Sequence, residues 1–160
     1  LTHDLGKGTT DPSRWPAHHG HEARSVRLLA ALCERLRVPS PYRDLAIAVA
    51  RLHGNVHRAL ELRPATVLKV LEGADTLRRP ERLEPFLLAC EADYRGRTGY
   101  EDRPYPQADL LRRAHVAARA VSAAPFVAQG LTGPAIGEAM QRERVRAIRA
   151  ELRAAPENPA

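Results

Sequence analysis

Glu22-Ala23-Arg24-Ser25-Val26-Arg27-Leu28-Leu29-Ala30-Ala31-Leu32-Cys33-Glu34-Arg35-Leu36 decides the fold class. Val26, Leu29, Leu32, Cys33 and Leu36 recur at three- and four-residue steps, which lines them up along one side of an α-helix. The run stops at Val38-Pro39-Ser40-Pro41, where two prolines break the pattern. Outward from this segment the same period returns. It predicts a helix from Tyr42 to about Gly54 through Leu45, Val49 and Leu52. A shorter one, opened by Arg63-Pro64-Ala65-Thr66, carries Val67, Leu68 and Leu71 and ends near Gly73. Pro80 stands where a first-turn proline belongs, ahead of Leu83, Leu87 and Cys90. Arg95 to Pro106, with two glycines, two prolines and mixed charges, reads as an exposed loop. Beyond it an alanine-rich helix is expected over Gln107–Ala123, and a Gly133-Pro134 turn opens another that runs to about Leu152. The arginine-rich stretch of that last helix reads as a solvated face, and Pro156–Ala160 as a frayed tail. No segment alternates as a strand does, and no internal repeat is visible. The expected architecture is all-α: a helical bundle over residues 1–100, followed by a short helical C-terminal region over 101–160.

A chain of 160 residues, 44% hydrophobic and 28% charged, can bury a core and has one domain's worth of length. No apolar run reaches the ~18 residues a membrane span needs, so no membrane partner is expected. Cys33 and Cys90 both sit in apolar helical contexts and read as core thiols, the usage of a reducing compartment; the expected location is cytoplasmic. The chain opens on Leu1 rather than methionine, with a dense polar motif two residues later, which leads us to expect the C-terminal part of a longer protein. The net charge is +6, and of the 25 basic residues only Lys7 and Lys69 are lysine. Arginine offers a planar fork of donors suited to phosphate oxygens; a GC-rich genome that uses arginine as its default surface cation accounts for the bias equally well. Aromatic residues are only 4%, too few for a base-stacking platform, so any nucleic-acid contact is expected through the backbone.

Six of the seven histidines lie in the first 57 positions. Thr2-His3-Asp4-Leu5-Gly6-Lys7-Gly8 pairs an imidazole with a carboxylate at a helix end that turns into a glycine-containing loop. That donor pair suits magnesium and first-row divalent metals, and Lys7 supplies a phosphate-directed cation. His18-His19-Gly20-His21-Glu22 precedes a strong helix, so its side chains gather at an anion-favouring N-terminus; a solvated histidine-rich turn is the alternative. His53 follows Val49 by four on the apolar side of its helix, the placement of a satisfied core histidine or of a ligand. His57 is expected in a turn, facing either solvent or the site. Asp93 interrupts an otherwise apolar helix face and needs a metal or an arginine as partner. Asp75 reads as a cap or as an ion-pair partner of Arg78 or Arg79. Trp15 is expected to pack the loop before the histidines, and Tyr94 and Tyr100 to pin the loop that follows them.

Taken in order, His3-Asp4-Leu5-Gly6-Lys7, Gly20-His21-Glu22, Leu52-His53 and Ala92-Asp93 resemble the spaced signature of the HD-domain metal-dependent phosphohydrolases. More closely, the chain resembles the C-terminal half of bacterial CCA-adding enzymes, tRNA nucleotidyltransferases that carry an HD domain. The matching stretches are Leu1–Gly8, His18–Glu22, Leu32–Pro39, Arg78–Arg82, Cys90–Gly99, Tyr105–Gln107 and Gly133–Glu138. The resemblance implies an HD helical domain that hydrolyses phosphate esters with a divalent metal, namely nickel, magnesium or manganese. The implied activities are 2′,3′-cyclic phosphodiesterase, 2′-nucleotidase and phosphatase, beside a nucleotide-adding head that this chain lacks. It assigns His3, Asp4, His21, His53 and Asp93 to the metal. Catalytic roles fall to His3 and Asp4, with Lys7, His18 and His19 as candidates for phosphate binding or proton transfer. The family pattern also has a histidine upstream of the His-Asp pair, ahead of Leu1.

Implied partners are small 2′-phosphate or 2′,3′-cyclic phosphate substrates and tRNA, the latter held through Arg78, Arg79, Arg82, Arg95, Arg97, Arg112 and Arg113. A second copy of the chain, as a dimer, is a further candidate partner. Two rival readings stand beside the hydrolase: a helical body that holds tRNA with little hydrolytic activity, and a free-standing HD nucleotide phosphohydrolase.

Overall fold

The computed structural model describes residues 2–154. It is all-helical, with no strand among the described residues, as the periodicity predicts. Seven α-helices follow in order: α1 His21–Arg35, α2 Ser40–His57, α3 Pro64–Gly73, α4 Leu83–Arg95, α5 Pro106–Ala120, α6 Ala124–Ala128 and α7 Pro134–Ala154. A 3-10 turn over Leu5–Thr9 precedes them. The expected tail Pro156–Ala160 lies outside the described residues.

Local chemistry sets most boundaries. Proline opens α3, α5 and α7, where its missing N–H costs nothing. α1 and α3 close the same way. Arg37 and Asp75 take φ of 50° and 58°, and the amides of the residues after them, Val38 and Thr76, return to Cys33 O and Leu71 O at 2.9 and 3.0 Å. This is the Schellman arrangement on residues other than glycine. Asp75 also meets Arg78, Arg79 and Arg82 at 3.8, 3.6 and 3.5 Å, which accounts for its carboxylate.

One buried cluster joins α2, α3, α4, α5 and α7, with Phe86, Leu68, Leu71, Leu87, Leu110, Leu111 and Ile148 fully enclosed. A second, smaller one holds Leu29, Cys33 and Ala50 between α1 and α2. Both cysteines are buried, and burial pushes the Cys90 thiol up to about 12. α7 buries Ala139 and Ile148 and leaves Arg142 and Arg146 exposed. No described helix is long and apolar enough to cross a membrane.

Several expectations shift. The helix expected over Gln107–Ala123 runs from Pro106 to Ala120, where Val121 turns extended and the separate α6 follows, and His57, expected in a turn, is the last residue of α2. α2 continues through Gly54 to His57, because Val56 is drawn into the core and a lone glycine does not stop a helix so anchored. Pro80 opens a 3-10 turn, Pro80–Arg82, that leads into α4, rather than the first turn of α4 itself. Trp15 meets the loop only in part: its indole N–H donates to Thr10 O at 3.3 Å, while the side chain is 62% exposed.

Candidate metal centre

The 3-10 turn is what brings His3 and Asp4 to the bundle. Gly6 is buried against the first turns of α1, and its amide donates to Ser25 Oγ at 2.9 Å. Arg24, the residue before Ser25 on α1, also ties the turn down, donating to Gly6 O, Thr9 Oγ1 and Thr10 Oγ1 at 3.2, 3.1 and 2.8 Å, and it reaches His19 O at 2.9 Å. These contacts fix the His3-Asp4 pair next to His21, the first residue of α1. α2 contributes His53 and α4 contributes Asp93.

Asp4 sits at the middle. Its Oδ2 accepts from Lys7 Nζ at 2.5 Å, while Oδ1 faces His21 Nε2 at 3.3 Å and His53 Nε2 at 3.7 Å. His3 Nε2 lies 3.3 Å from Asp4 Oδ2 and 3.1 Å from Asp93 Oδ1. His3, Asp4 and His53 offer ligand atoms all within 4.8 Å of one another. The structure therefore brings His3, Asp4, Lys7, His21, His53 and Asp93 into one cluster. His18 and His19 stand apart from it. The His18 ring contacts Thr10 Oγ1 at 3.0 Å, and the exposed His19 edges a separate polar hollow beside Asp11 and Arg14.

The proton positions decide what the cluster can hold. His21 Nδ1 is 3.0 Å from His18 O, and His53 Nδ1 is 3.0 Å from Val49 O. A carbonyl only accepts, so in both rings Nδ1 carries the proton and, in the neutral form, Nε2 is a bare lone pair. Those lone pairs point at Asp4 Oδ1, itself an acceptor. His3 Nε2, Asp4 Oδ1 and His21 Nε2 are buried with no hydrogen-bond partner. Acceptors turned toward one another in a buried site repel unless a cation lies between them. Imidazoles oriented by backbone carbonyls, with carboxylate oxygens, are the donor set of a first-row divalent ion, so the residues fit the metal implied by the sequence.

The electrostatics agree. Burial lowers the His3 pKa despite Asp93 and Asp4, which favours the neutral ligating form. For Asp4, burial acts upward but is outweighed by the Lys7 hydrogen bond and the neighbouring imidazoles, and the carboxyl stays below its usual range. Asp93 behaves likewise, burial being outweighed by its hydrogen bond from His57 and its contact with His3.

The sequence leaves His57 open, marks Tyr105 only as part of a family-like stretch with no role, and gives no sign of Arg24. His57 Nε2 lies 2.7 Å from Asp93 Oδ2, and its Nδ1 lies 2.9 Å from the Tyr105 hydroxyl. The i, i+4 spacing from His53 was the available signal, once the helix is carried through Gly54. Tyr94 packs between Tyr100, edge to face, and Tyr105, tilted, with centroids at 5.1 and 5.0 Å, and so pins the 96–105 loop. A groove of about 730 Å³ opens onto the cluster, with Thr2, His3, Asp4, Asp93 and Arg97 at the polar end and Leu45, Val49 and Ala89 along the apolar wall.

The chain is similar over nearly its whole length to multifunctional CCA proteins. It is 68% identical over 149 residues to that of Thioalkalivibrio sulfidiphilus, a match covering 93% of this chain and 36% of the relative. The corresponding protein of Nitrosococcus oceani is 59% identical over 93% of this chain and 37% of its own length. That of Alkalilimnicola ehrlichii is also 59% identical, over 98% of this chain and 38% of its own length. The chain thus spans a little over a third of the length of these curated relatives. No family model matches it, and no solved structure does.

Proposed function

We propose that this chain is the metal-dependent phosphohydrolase part of a multifunctional CCA protein, an HD-type domain acting on 2′,3′-cyclic phosphates, 2′-phosphates and related phosphate monoesters at or near tRNA ends. The observation that carries the reading is the trio of buried, unpartnered atoms, His3 Nε2, Asp4 Oδ1 and His21 Nε2, facing one another beside His53 Nε2. The tRNA context rests on the similarity to multifunctional CCA proteins; nucleotide addition would fall to the head that the family resemblance implies. The cytoplasm is the matching location.

His3, Asp4, His21, His53 and Asp93 would hold the ion, nickel, magnesium or manganese. When bound, such an ion supplies Lewis-acid polarisation of a phosphoryl oxygen and a water activated near neutral pH. The protein's own groups do the rest. Val49 O and His18 O hold the His53 and His21 rings with Nε2 turned inward. Lys7 neutralises Asp4 Oδ2 and, being 42% exposed, presents its ammonium to phosphoryl charge entering from solvent. His18 and His19 are the candidate proton donors to a leaving 2′ oxygen. Serving in that role requires the His18 ring to leave Thr10 and the His19 ring to turn in from solvent.

The test is hydrolysis of 2′,3′-cyclic AMP by the purified protein after chelation and re-addition of nickel, manganese or magnesium singly. Activity should vanish with chelator, return with at least one ion, and be absent from His3→Ala and Asp4→Ala. Undiminished hydrolysis by both variants would refute the assignment.

A second reading, tRNA binding by the helical body, draws on the surplus of arginine. Each of the seven arginines named from sequence lies within 4.0 Å of a carboxylate; Arg112, for example, reaches Glu84 and Asp109 at 2.9 and 2.7 Å. Their charge is partly neutralised in place. Binding through them should fall steeply with added salt, whereas hydrolysis of a small cyclic nucleotide should follow the metal.

A further inference from the structure

We propose that His57, braced by Tyr105, is a positioning residue for the metal centre: it clamps one oxygen of Asp93 so that the other is presented to His3 and the cluster. The inference rests on the reading of that cluster as a metal site. Asp93 Oδ2 lies 2.7 Å from His57 Nε2, while Oδ1 lies 3.1 Å from His3 Nε2. The two oxygens therefore have different jobs, one bound by the protein and one turned inward.

With His57 neutral, the form its burial favours, the chain Tyr105–His57–Asp93 has one consistent proton arrangement. A carboxylate only accepts, so His57 Nε2 carries the proton, and the neutral ring then accepts at Nδ1 from the Tyr105 hydroxyl, 2.9 Å away. Burial raises the Tyr105 pKa, which keeps that hydroxyl a donor. The clamp is itself anchored. Tyr105 is buried against Tyr94, and Gln107 Nε2 donates to His57 O at 3.1 Å, fastening the end of α2 to α5.

What the clamp works against is also present. Arg97, four residues along α4 from Asp93 and just past the helix end, approaches Asp93 Oδ2 to 4.0 Å from the solvent side. Without the imidazole, nothing stops the carboxylate turning toward that guanidinium and withdrawing Oδ1 from His3. Loss of an outer partner that orients a metal-binding carboxylate typically weakens metal affinity by about 10–100-fold.

The experiment is Ni²⁺ titration by calorimetry on the untagged protein and on His57→Ala, His57→Gln and Tyr105→Phe. Nitrogen-15 spectra of the histidine rings accompany each titration. The expected result is about 10–100-fold weaker binding in His57→Ala, with partial recovery in His57→Gln, whose amide can still donate to Asp93. Tyr105→Phe keeps the buried ring but should weaken Ni²⁺ binding by a few-fold and abolish the single Nε2–H form of His57. If His57→Ala does not fold, Tyr105→Phe decides. Wild-type affinity in the folded variants overturns the positioning role and leaves the metal centre standing. If the unaltered protein binds none of Ni²⁺, Mn²⁺ and Mg²⁺ in the same titration, both are overturned.

Discussion

Gly6→Ala isolates the contact that sets the whole centre. An ideal Cβ at Gly6 would fall 2.6 Å from Ser25 N and 2.9 Å from Arg24 Cβ, and closer still to His21 O. Ordinary contact is ~3.5–4 Å between carbons, so the turn must back away from α1 by on the order of 1 Å. Two of the three obstacles are backbone atoms of α1 and cannot swing aside. The Gly6–Ser25 hydrogen bond stretches, and Asp4, two residues back, moves off His21. Overpacking of this kind costs about 1–3 kcal/mol. The functional cost is of the same size, about 2.7 kcal/mol, because a displacement of ~1 Å in a positioned site can remove about 100-fold in rate. Urea denaturation measures the first and 2′,3′-cyclic AMP hydrolysis the second, with Ni²⁺ calorimetry reporting on the site itself. A Gly6→Ala protein that unfolds within 0.5 kcal/mol of the parent and binds Ni²⁺ equally well would refute the claim that this close approach positions His3 and Asp4.

Acidification should destabilise the metal-free protein in two stages. Burial lowers the folded-state pKa of His3 and of His57 from 6.5, so the unfolded chain takes up protons first; their contribution is complete above that value and lost as pH falls through the lower folded values. Asp4 and Asp93, held below 3.8, extend the loss into the acid range, and a thermal midpoint that stays flat between neutrality and pH 5 would contradict the histidine stage. Arg112→Ala removes the paired contacts to Glu84 at 2.9 Å and should cost at most about 1 kcal/mol by denaturant unfolding, shrinking in high salt because the pair is exposed.

Helix existence was legible in this sequence because apolar residues at steps of three and four must share a face, and prolines mark the starts. Ends were less legible. Gly54 looked like a stop, but only what Val56 packs against shows that α2 goes on for another turn. The short α6, five residues long, carries too few apolar positions to show a period. For the site, His3, Asp4, His21, His53 and Asp93 were named through a family resemblance, since spacing along a chain does not say which histidines meet. His57 illustrates the limit. Its partner Asp93 is 36 residues away and Tyr105 is 48 away, distances that only tertiary packing closes. Arg24 was invisible for the converse reason: nothing in an arginine on a helix announces that three of its contacts reach backward onto a turn.

The centre lies on a seam between two cores, and this has a measurable consequence. His53, His57 and Asp93 rise from α2 and α4, whose buried faces belong to the large cluster. His3, Asp4, Lys7 and His21 are carried by the first turn and α1, which α2 holds mainly through Leu29, Cys33 and Ala50. Leu29 is 2% exposed and Phe86 1%, so truncating either to alanine costs about 2–5 kcal/mol. The two losses fall on different units. Leu29→Ala should loosen α1 locally, raising amide exchange in α1 and weakening Ni²⁺ binding at temperatures where α4 amides stay protected. Phe86→Ala should lower protection across α2 to α5 together, with metal binding retained until the large cluster opens. Equal loss of protection in α1 and α4 for both variants would mean a single cooperative core, with the metal ligands from both sides of the seam released in one step.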